Sequence, residues 1–272
     1  MLKALVLIDN IADEDLVGEW GLSIGVNWEE QSYLLDMGAS DTFIRNAEAL
    51  GFDISSVNMG VLSHGHYDHA NGMLAFFEKN SHGKCYVRTG AQQAYYHKEL
   101  FIRRYIGIPH ELTTGEYSKR IEYVEGDYEL APGVWLIPHK TEGLAAVGKR
   151  NHMYRKQGRK WIPDDFSHEQ SLVFDTLEGL VIFNSCSHGG ADHIIKEVSS
   201  TFPGKKIKAM IGGFHLFLSS EKEIRQLAKG ILETGVEQIY TGHCTGQRAY
   251  SILKEELGDK LFQLKVGLEI NL

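Results

Sequence analysis

Two periodicities alternate along the chain. A short apolar run, "LKALVLI", predicts an opening strand, and "GLSIGVNWEEQSYLLDMG" predicts two strands joined by a polar turn at Asn27 to Gln31, the second ending on Asp36. "SDTFIRNAEALG" then shifts to helical spacing, with Ser40 as cap candidate and Gly51 just past the end. Met59 to Ser63 is a buried strand that runs straight into "HGHYDH", and "GMLAFFEK" resumes helical spacing, so this cluster sits on a strand-to-helix loop. The stretch from Cys85 to Lys160 has no clean period beyond strand-like "CYVR" and "GVWLIPH", and no linker composition. The last third is regular again. "QSLVFDTLEGLVIFNSCSHGG" predicts a hairpin turning at Thr176 to Gly179; helical "ADHIIKEVSSTF", "SSEKEIRQLAKGILETG" and "GQRAYSILKEELG" alternate with strands "IKAMIGGFH" and "EQIYTGHCTG", and "LFQLKVGLEI" closes the chain as a strand.

In both halves strands are followed by helices, and the His, Asp and Cys residues fall just past strand ends, which is the pattern of an α/β protein with two similar layers. Its 272 residues, 43% hydrophobic and 24% charged, with no boundary in composition, are read as one domain over 1–272. Three widely spaced cysteines do not form a secreted disulfide framework. The apolar N-terminal run is too short for a signal-peptide core and nothing reaches bilayer length, so no membrane partner and a cytoplasmic location are expected. A net charge of −8 excludes a general nucleic-acid binder.

"SHGHYDHANG" places His64, His66, Asp68 and His69 within six positions. Imidazole and carboxylate suit borderline divalent ions, and this spacing aims alternate side chains apart, so one loop can serve two ions: His64 and His66 toward the first, Asp68 and His69 toward the second. Gly65 and Gly72 are read as tolerating the backbone angles that such convergence needs. The remaining ligands must come from other strand ends, and Cys186, His188, His215 and His243 are the candidates.

"HGHYDH" resembles the HxHxDH signature of the metallo-β-lactamase superfamily, with Asp36 in "YLLDMG" at the preceding acidic position, Cys186 in "FNSC" at a further ligand position and His243 in "YTGH" at the last. The resemblance runs from about residue 19 to 250 and implies a four-layer αβ/βα sandwich with a two-metal site between its sheets. "EWGLS", "SHGHYDHANG", "CSHGG", "GGFHL" and "GHCTG", in that order, are similar to the 7,8-dihydropterin-6-methyl-4-(β-D-ribofuranosyl)aminobenzene-5'-phosphate synthase-like branch, whose label implies a pterin and ribosyl-phosphate substrate. The superfamily's distal histidine has no secure match. His139 in "IPHKTEG" lacks the glycine-rich context, and His188 is preferred as the third ligand of the first ion. Cys186 is either a bridging ligand or a small buried residue at a strand end. Asp36 is read as an acceptor that orients a ligating imidazole. His215 is either a substrate or metal-side group or a buried, hydrogen-bonded histidine. His82, His97, His110, His152, His168, His193, Cys85 and Cys244 are taken as ordinary residues.

Two divalent ions, zinc first, with iron or manganese as alternatives, would then drive hydrolysis, with Asp68 as ligand and proton acceptor and His215 on the oxyanion or leaving group. A basic stretch, Lys149 to Lys160, with Lys156 and Arg159, together with Arg103 and Arg104, either collects an anionic small-molecule substrate or is a solvated loop. Three other classes compete: a metal-containing ligand-binding or sensory protein without turnover, a diiron redox protein, which would need a flavin module for which the chain has no room, and a nuclease of the same superfamily, which would carry an inserted domain and a more basic surface.

Overall fold

The computed structural model describes residues 1–13 and 15–272. It is a mixed α/β protein that divides into two compact units. The first comprises Met1–Glu125, Gly143–Glu169 and Lys265–Asn271; the second comprises Gly126–Glu142 and Gln170–Leu264, with Leu272. Among the described residues no helix is long and apolar enough to cross a membrane.

The first unit is built on a seven-stranded sheet running, edge to edge, Glu269–Asn271, Leu2–Ile8, Ser23–Trp28, Gln31–Leu35, Met59–Leu62, Lys84–Arg88 and Ile121–Val124. Val61 and Leu62 are wholly buried in the middle of this sheet, and the Met59–Leu62 strand pairs in parallel with both neighbours. Such strands read as unbroken apolar runs because both faces are covered. Phe43 and Ala47 of the Thr42–Leu50 helix and Met73, Phe76 and Phe77 of the Met73–Lys79 helix pack with Leu34 and Leu62 in one core. The expected cap of the first helix is displaced by one residue: Asp41 is the cap, while Ser40 donates to Glu19 Oε2 at 2.6 Å and accepts the Thr42 amide at 3.1 Å. The stretch that showed no clean period contains a second, four-stranded sheet in the order Lys160–Pro163, Met153–Gln157, Tyr95–Glu99, Ile102–Tyr105. Its outer strands are exposed or half-buried and carry mixed side chains, which is why hydrophobic patterning did not reveal it.

The second unit holds the other seven-stranded sheet: Leu261–Gln263, Gln238–Thr241, Ile207–Ile211, Gly179–Phe183, Gln170–Thr176, Val134–Pro138 and Tyr128–Ala131. The hairpin turns where predicted, with Thr176 opposite Gly179. Helices Ala191–Thr201, Glu221–Glu233 and Gln247–Leu257 cover a core of Ile182, Met210, Ile239, Ile194, Ile224 and Leu253. Ser220 and Glu223 form a reciprocal capping box that starts the second of these. The closing strand is interrupted: Leu261–Gln263 joins the second unit's sheet and Glu269–Asn271 the first's, with Gly267 between them at φ +86°.

Parallel pairing decides where the chemistry lies within each unit. Strands Gly179–Phe183, Ile207–Ile211 and Gln238–Thr241 are mutually parallel, so their carboxyl ends, and the loops carrying Cys186 and His188, His215, and His243, emerge at one edge of the second unit's sheet. Gln31–Leu35 and Met59–Leu62 do the same for Asp36 and His64 in the first. Open parallel sheets place their sites at this edge because that is where loops converge.

Gly65 and Gly72 are required for closeness, not for unusual backbone angles: neither has positive φ. A Cβ on Gly65 would lie 2.5 Å from the Ala91 carbonyl oxygen, and one on Gly72 would lie 1.9 Å from that of Met37. Gly72→Ala is therefore expected to destabilise the protein by about 1–3 kcal/mol or more. A lowered urea midpoint at unchanged m-value would register it, and an unchanged midpoint would show that the Met37 turn yields.

Candidate metal centre

In the first unit a hydrogen-bond network fixes which nitrogen of each imidazole carries the proton. Asp36, buried at the end of Gln31–Leu35, accepts the Ser63 amide through Oδ1 and the Ser63 hydroxyl through Oδ2, each at 2.7 Å. With its hydroxyl proton so committed, Ser63 Oγ accepts from His64 Nδ1 at 2.8 Å, which makes Nε2 the lone-pair nitrogen of His64. His69 Nδ1 donates to Asp36 Oδ2 at 2.7 Å, so its lone pair is also on Nε2, and that atom is 3.6 Å from Asp68 Oδ2. Two ligands held at about 2.1 Å from one tetrahedral ion would be roughly 3.4 Å apart, so this pair fits a shared ion.

A second buried carboxylate does the same for His66. Gly65 N–H donates to His168 Nδ1 at 2.9 Å, leaving His168 Nε2–H to donate to Asp164, 3.2 Å from Oδ2. Asp164 also accepts the Phe166 amide at 2.9 Å, and its Oδ2 lies 3.4 Å from His66 Nε2. The proton of His66 is thus on Nε2 and its lone pair on Nδ1. Burial lowers the pKa of His66 and keeps it neutral, the form a metal needs. Burial alone would raise the Asp164 carboxyl, but the imidazoles of His168 and His66 outweigh it and hold it well below the usual carboxylate range. Tyr95 packs on His168 with ring centroids 4.2 Å apart, closing this side.

In the second unit, Asn184 ends the Gly179–Phe183 strand and accepts both the Ser187 amide, at 2.7 Å, and its hydroxyl, at 3.0 Å, folding the loop that carries Cys186 and His188. Both of these side chains are buried. His215 lies with its ring 4.6 Å from that of His188, and its Nδ1 is buried without a hydrogen-bond partner among the described residues. Cys186, His188 and His215 bring their donor atoms within 4.8 Å of one another, and so do Cys186, His243 and Cys244. Buried imidazole and thiol groups that converge in this way suit a thiophilic divalent ion. His139 packs under the loop, against Gly189, and its Nδ1 is 3.6 Å from Glu197, a carboxylate-facing position.

Each unit therefore brings together the residues the sequence singled out within it: His64, His66, Asp68 and His69 with Asp36 in one, Cys186, His188, His215 and His243 in the other. The basic candidates part company. The Arg103 guanidinium stacks 4.4 Å over Trp161 and the Lys156 ammonium lies 5.8 Å from the same ring, both on the four-stranded sheet, while Arg159 is exposed. Arg104 lines a cavity of about 360 Å³ with Tyr67, Asn71, Tyr105 and His110. Two of the residues taken as ordinary are not: His168 is a wholly buried member of the Asp164 network, and Cys244 is in contact with Cys186. Asp164 was not singled out at all. Its only trace in the sequence is an Asp and a His four apart in "PDDFSH".

Asp164→Asn removes the charge that holds the His66 proton while keeping the shape. Metal affinity is expected to fall about 10- to 100-fold, read by titration of the metal-free protein with unchanged circular dichroism. An unaltered affinity would show that His66 does not depend on Asp164.

Residues 26–153 match the family model described as the metallo-beta-lactamase superfamily. Over its full length the chain is similar to a solved metal-dependent hydrolase of the beta-lactamase superfamily, at 32% identity and a TM-score of 0.86, covering 100% of this chain and 99% of that one. It is 24% identical over 246 residues to the 7,8-dihydropterin-6-methyl-4-(beta-D-ribofuranosyl)-aminobenzene-5'-phosphate synthase of Methanocaldococcus jannaschii, covering 84% of this chain and 80% of that protein. An N-acyl homoserine lactonase of Bacillus thuringiensis is 29% identical over 132 residues, 48% of this chain and 47% of its own length.

Proposed function

Because the chain belongs to the metallo-β-lactamase superfamily and is an enzyme of its metal-dependent hydrolase type, we propose that it is a two-metal hydrolase of a small anionic substrate. The observation that carries this reading is the pair of buried carboxylates, Asp36 and Asp164, that set the tautomers of His64, His66 and His69 so that each keeps a defined lone-pair nitrogen for a metal ion. His64 and His66 serve one ion and Asp68 and His69 the other, with Cys186, His188 and His243 supplying the further ligands. Divalent ions held there, zinc first, would supply Lewis acidity and a hydroxide nucleophile at neutral pH.

The chain's own residues do the rest. Asp68 accepts the proton that the nucleophile releases, being the ligand-loop carboxylate with a side chain still partly open to solvent. His215, with its buried Nδ1, donates to the oxygen that gains charge as the substrate bond breaks. Asp36 and Asp164 hold the imidazoles still, so that no reorganisation accompanies the reaction.

An anionic substrate is favoured by Arg104. It lines the cavity beside Tyr67, the residue between His66 and Asp68, and the stacked rings of Tyr105 and His110, 5.0 Å apart, offer a flat wall for a planar group. The Methanocaldococcus jannaschii relative, whose name contains a dihydropterin and a 5'-phosphate, supports a phosphate-bearing or pterin-like compound. The lactonase similarity supports ester-type hydrolysis over the shared half.

The test is a panel of phosphodiesters, lactones and thioesters run on metal-loaded protein. His66→Ala and His243→Ala are each expected to lower metal content and abolish hydrolysis. Retained turnover in either rejects the ligand assignment, and less than one metal per chain in the metal-replete wild type rejects the two-metal reading. Arg104→Ala is expected to raise KM for anionic substrates about tenfold or more, the loss of a charge-assisted hydrogen bond, with kcat and metal content kept. A KM that does not move would exclude the cavity from substrate binding.

A further inference from the structure

Cys244 has no role in the reading above, yet it occupies a built position. All three cysteines are free and buried, and the Sγ atoms of Cys186 and Cys244 are 3.4 Å apart. We propose that Cys244 is itself a metal ligand, so that Cys186, Cys244 and His243 together hold one divalent ion through two sulfurs and an imidazole. This rests on the metal-dependent reading and adds a ligand and a metal preference to it.

Three observations carry the proposal. The first is convergence: the donor atoms of Cys186, His243 and Cys244 lie within 4.8 Å of one another, all on buried side chains. Two thiolates on one tetrahedral zinc, at a Zn–S distance of about 2.3 Å, are roughly 3.8 Å apart, so the sulfur pair needs to open by only a few tenths of an ångström. The second is polarity at the sulfur. The His215 backbone N–H donates to Cys244 Sγ at 3.3 Å, a contact that favours a thiolate, and it is shorter than the contacts of 3.9 Å that the sulfur makes with the Ser185 and Cys186 carbonyls. The third is space. A Cβ on Gly213 would fall 2.5 Å from Cys244 Sγ, so the glycine before Phe214 keeps room for the sulfur at the carboxyl edge of the sheet.

Two sulfurs change which ion is held. Thiolates select zinc and its softer analogues over manganese or magnesium, which prefer oxygen ligands. Zinc can expand to five ligands, so the two sulfurs and the imidazole leave positions for further ligands or water.

Cobalt(II) loading of the full chain tests this without reference to turnover, because sulfur-to-cobalt charge transfer absorbs in the near ultraviolet only when a thiolate is bound. The wild type should show the band. Cys186→Ser and Cys244→Ser should each keep about half of it, and the double variant none, as expected for two equivalent sulfur ligands. Zinc retention against a chelator should fall at least about tenfold in Cys244→Ser. Cys85→Ala, altering a buried cysteine outside the cluster, should leave both readouts unchanged, and Cys244→Ala with native circular dichroism should repeat the Cys244→Ser result. A Cys244→Ser protein with the full wild-type band overturns the proposal, as does purified protein lighter by two hydrogens because Cys186 and Cys244 are joined in a disulfide. Failure of the hydrolytic reading looks different: the band is present and divides between the two cysteines, but no substrate on the panel is cleaved.

Discussion

A buried carboxylate that donates no proton governs this protein's chemistry. Asp36 receives three polar protons from two residues: the Ser63 amide, the Ser63 hydroxyl and His69 Nδ1–H all end on it, and through Ser63 it also fixes His64. A carboxylate with no exposure is tolerable only when it is well hydrogen-bonded. Once it is used in this way, the imidazoles cannot rotate or exchange tautomers without breaking a charged hydrogen bond. Asp164 repeats the device on the opposite flank of the same loop, with His168 in the place that Ser63 takes for Asp36. The "HGHYDH" motif clusters four candidate ligands in six positions; these two aspartates fix how its imidazoles are presented.

The sheet edge explains why such a set can be assembled from residues far apart in sequence. Each contributing loop leaves a parallel strand at its carboxyl end, so register alone brings the loops together within each unit. The close-approach glycines follow from this crowding. Gly65 abuts Ala91 and Gly213 abuts Cys244 because backbone and side chains from several strands compete for one edge.

Most of the α/β architecture was legible in the sequence because buried parallel strands and amphipathic helices have distinct periods. The Met59 strand, the Thr176–Gly179 hairpin and the Ser220 helix stand where patterning put them. The four-stranded sheet was not legible, since its residues are half exposed and pack on one another by pairs such as Tyr96 with Trp161 that leave no period. At the site, the HxHxDH candidates were legible because they are clustered. Asp164 and His168 were not, because a residue that orients a ligand needs only to reach one atom of it and can come from any loop. Cys244 was passed over for a related reason: a lone cysteine after a histidine has no motif until Cys186, 58 positions earlier, is seen against it.

Backbone strain points to the same places. Among the described residues eight non-glycine residues have positive φ, and Asp36, His215 and His243 are candidate site residues themselves, while Ser187 separates Cys186 from His188 and Phe166 stands between Asp164 and His168. Each such residue costs on the order of 1–3 kcal/mol when it is not glycine. Glycine would remove the cost at Asp36, His215 or His243 but also the side chain, so strain and side chain must coexist there. What makes them coexist is the network: Asp36 is held by three hydrogen bonds, Ser187 by two to Asn184, and the 3₁₀ turn after His243 by Thr245 Oγ1, which meets Thr241 Oγ1 at 2.5 Å and accepts the Phe214 amide at 3.0 Å. At Asp36 the hydrogen bonds that hold the left-handed turn are the same ones that orient the His64 and His69 imidazoles. Rigidity and ligand placement are therefore one property in this protein, and a substitution that relaxes a turn is expected to loosen the metal with it.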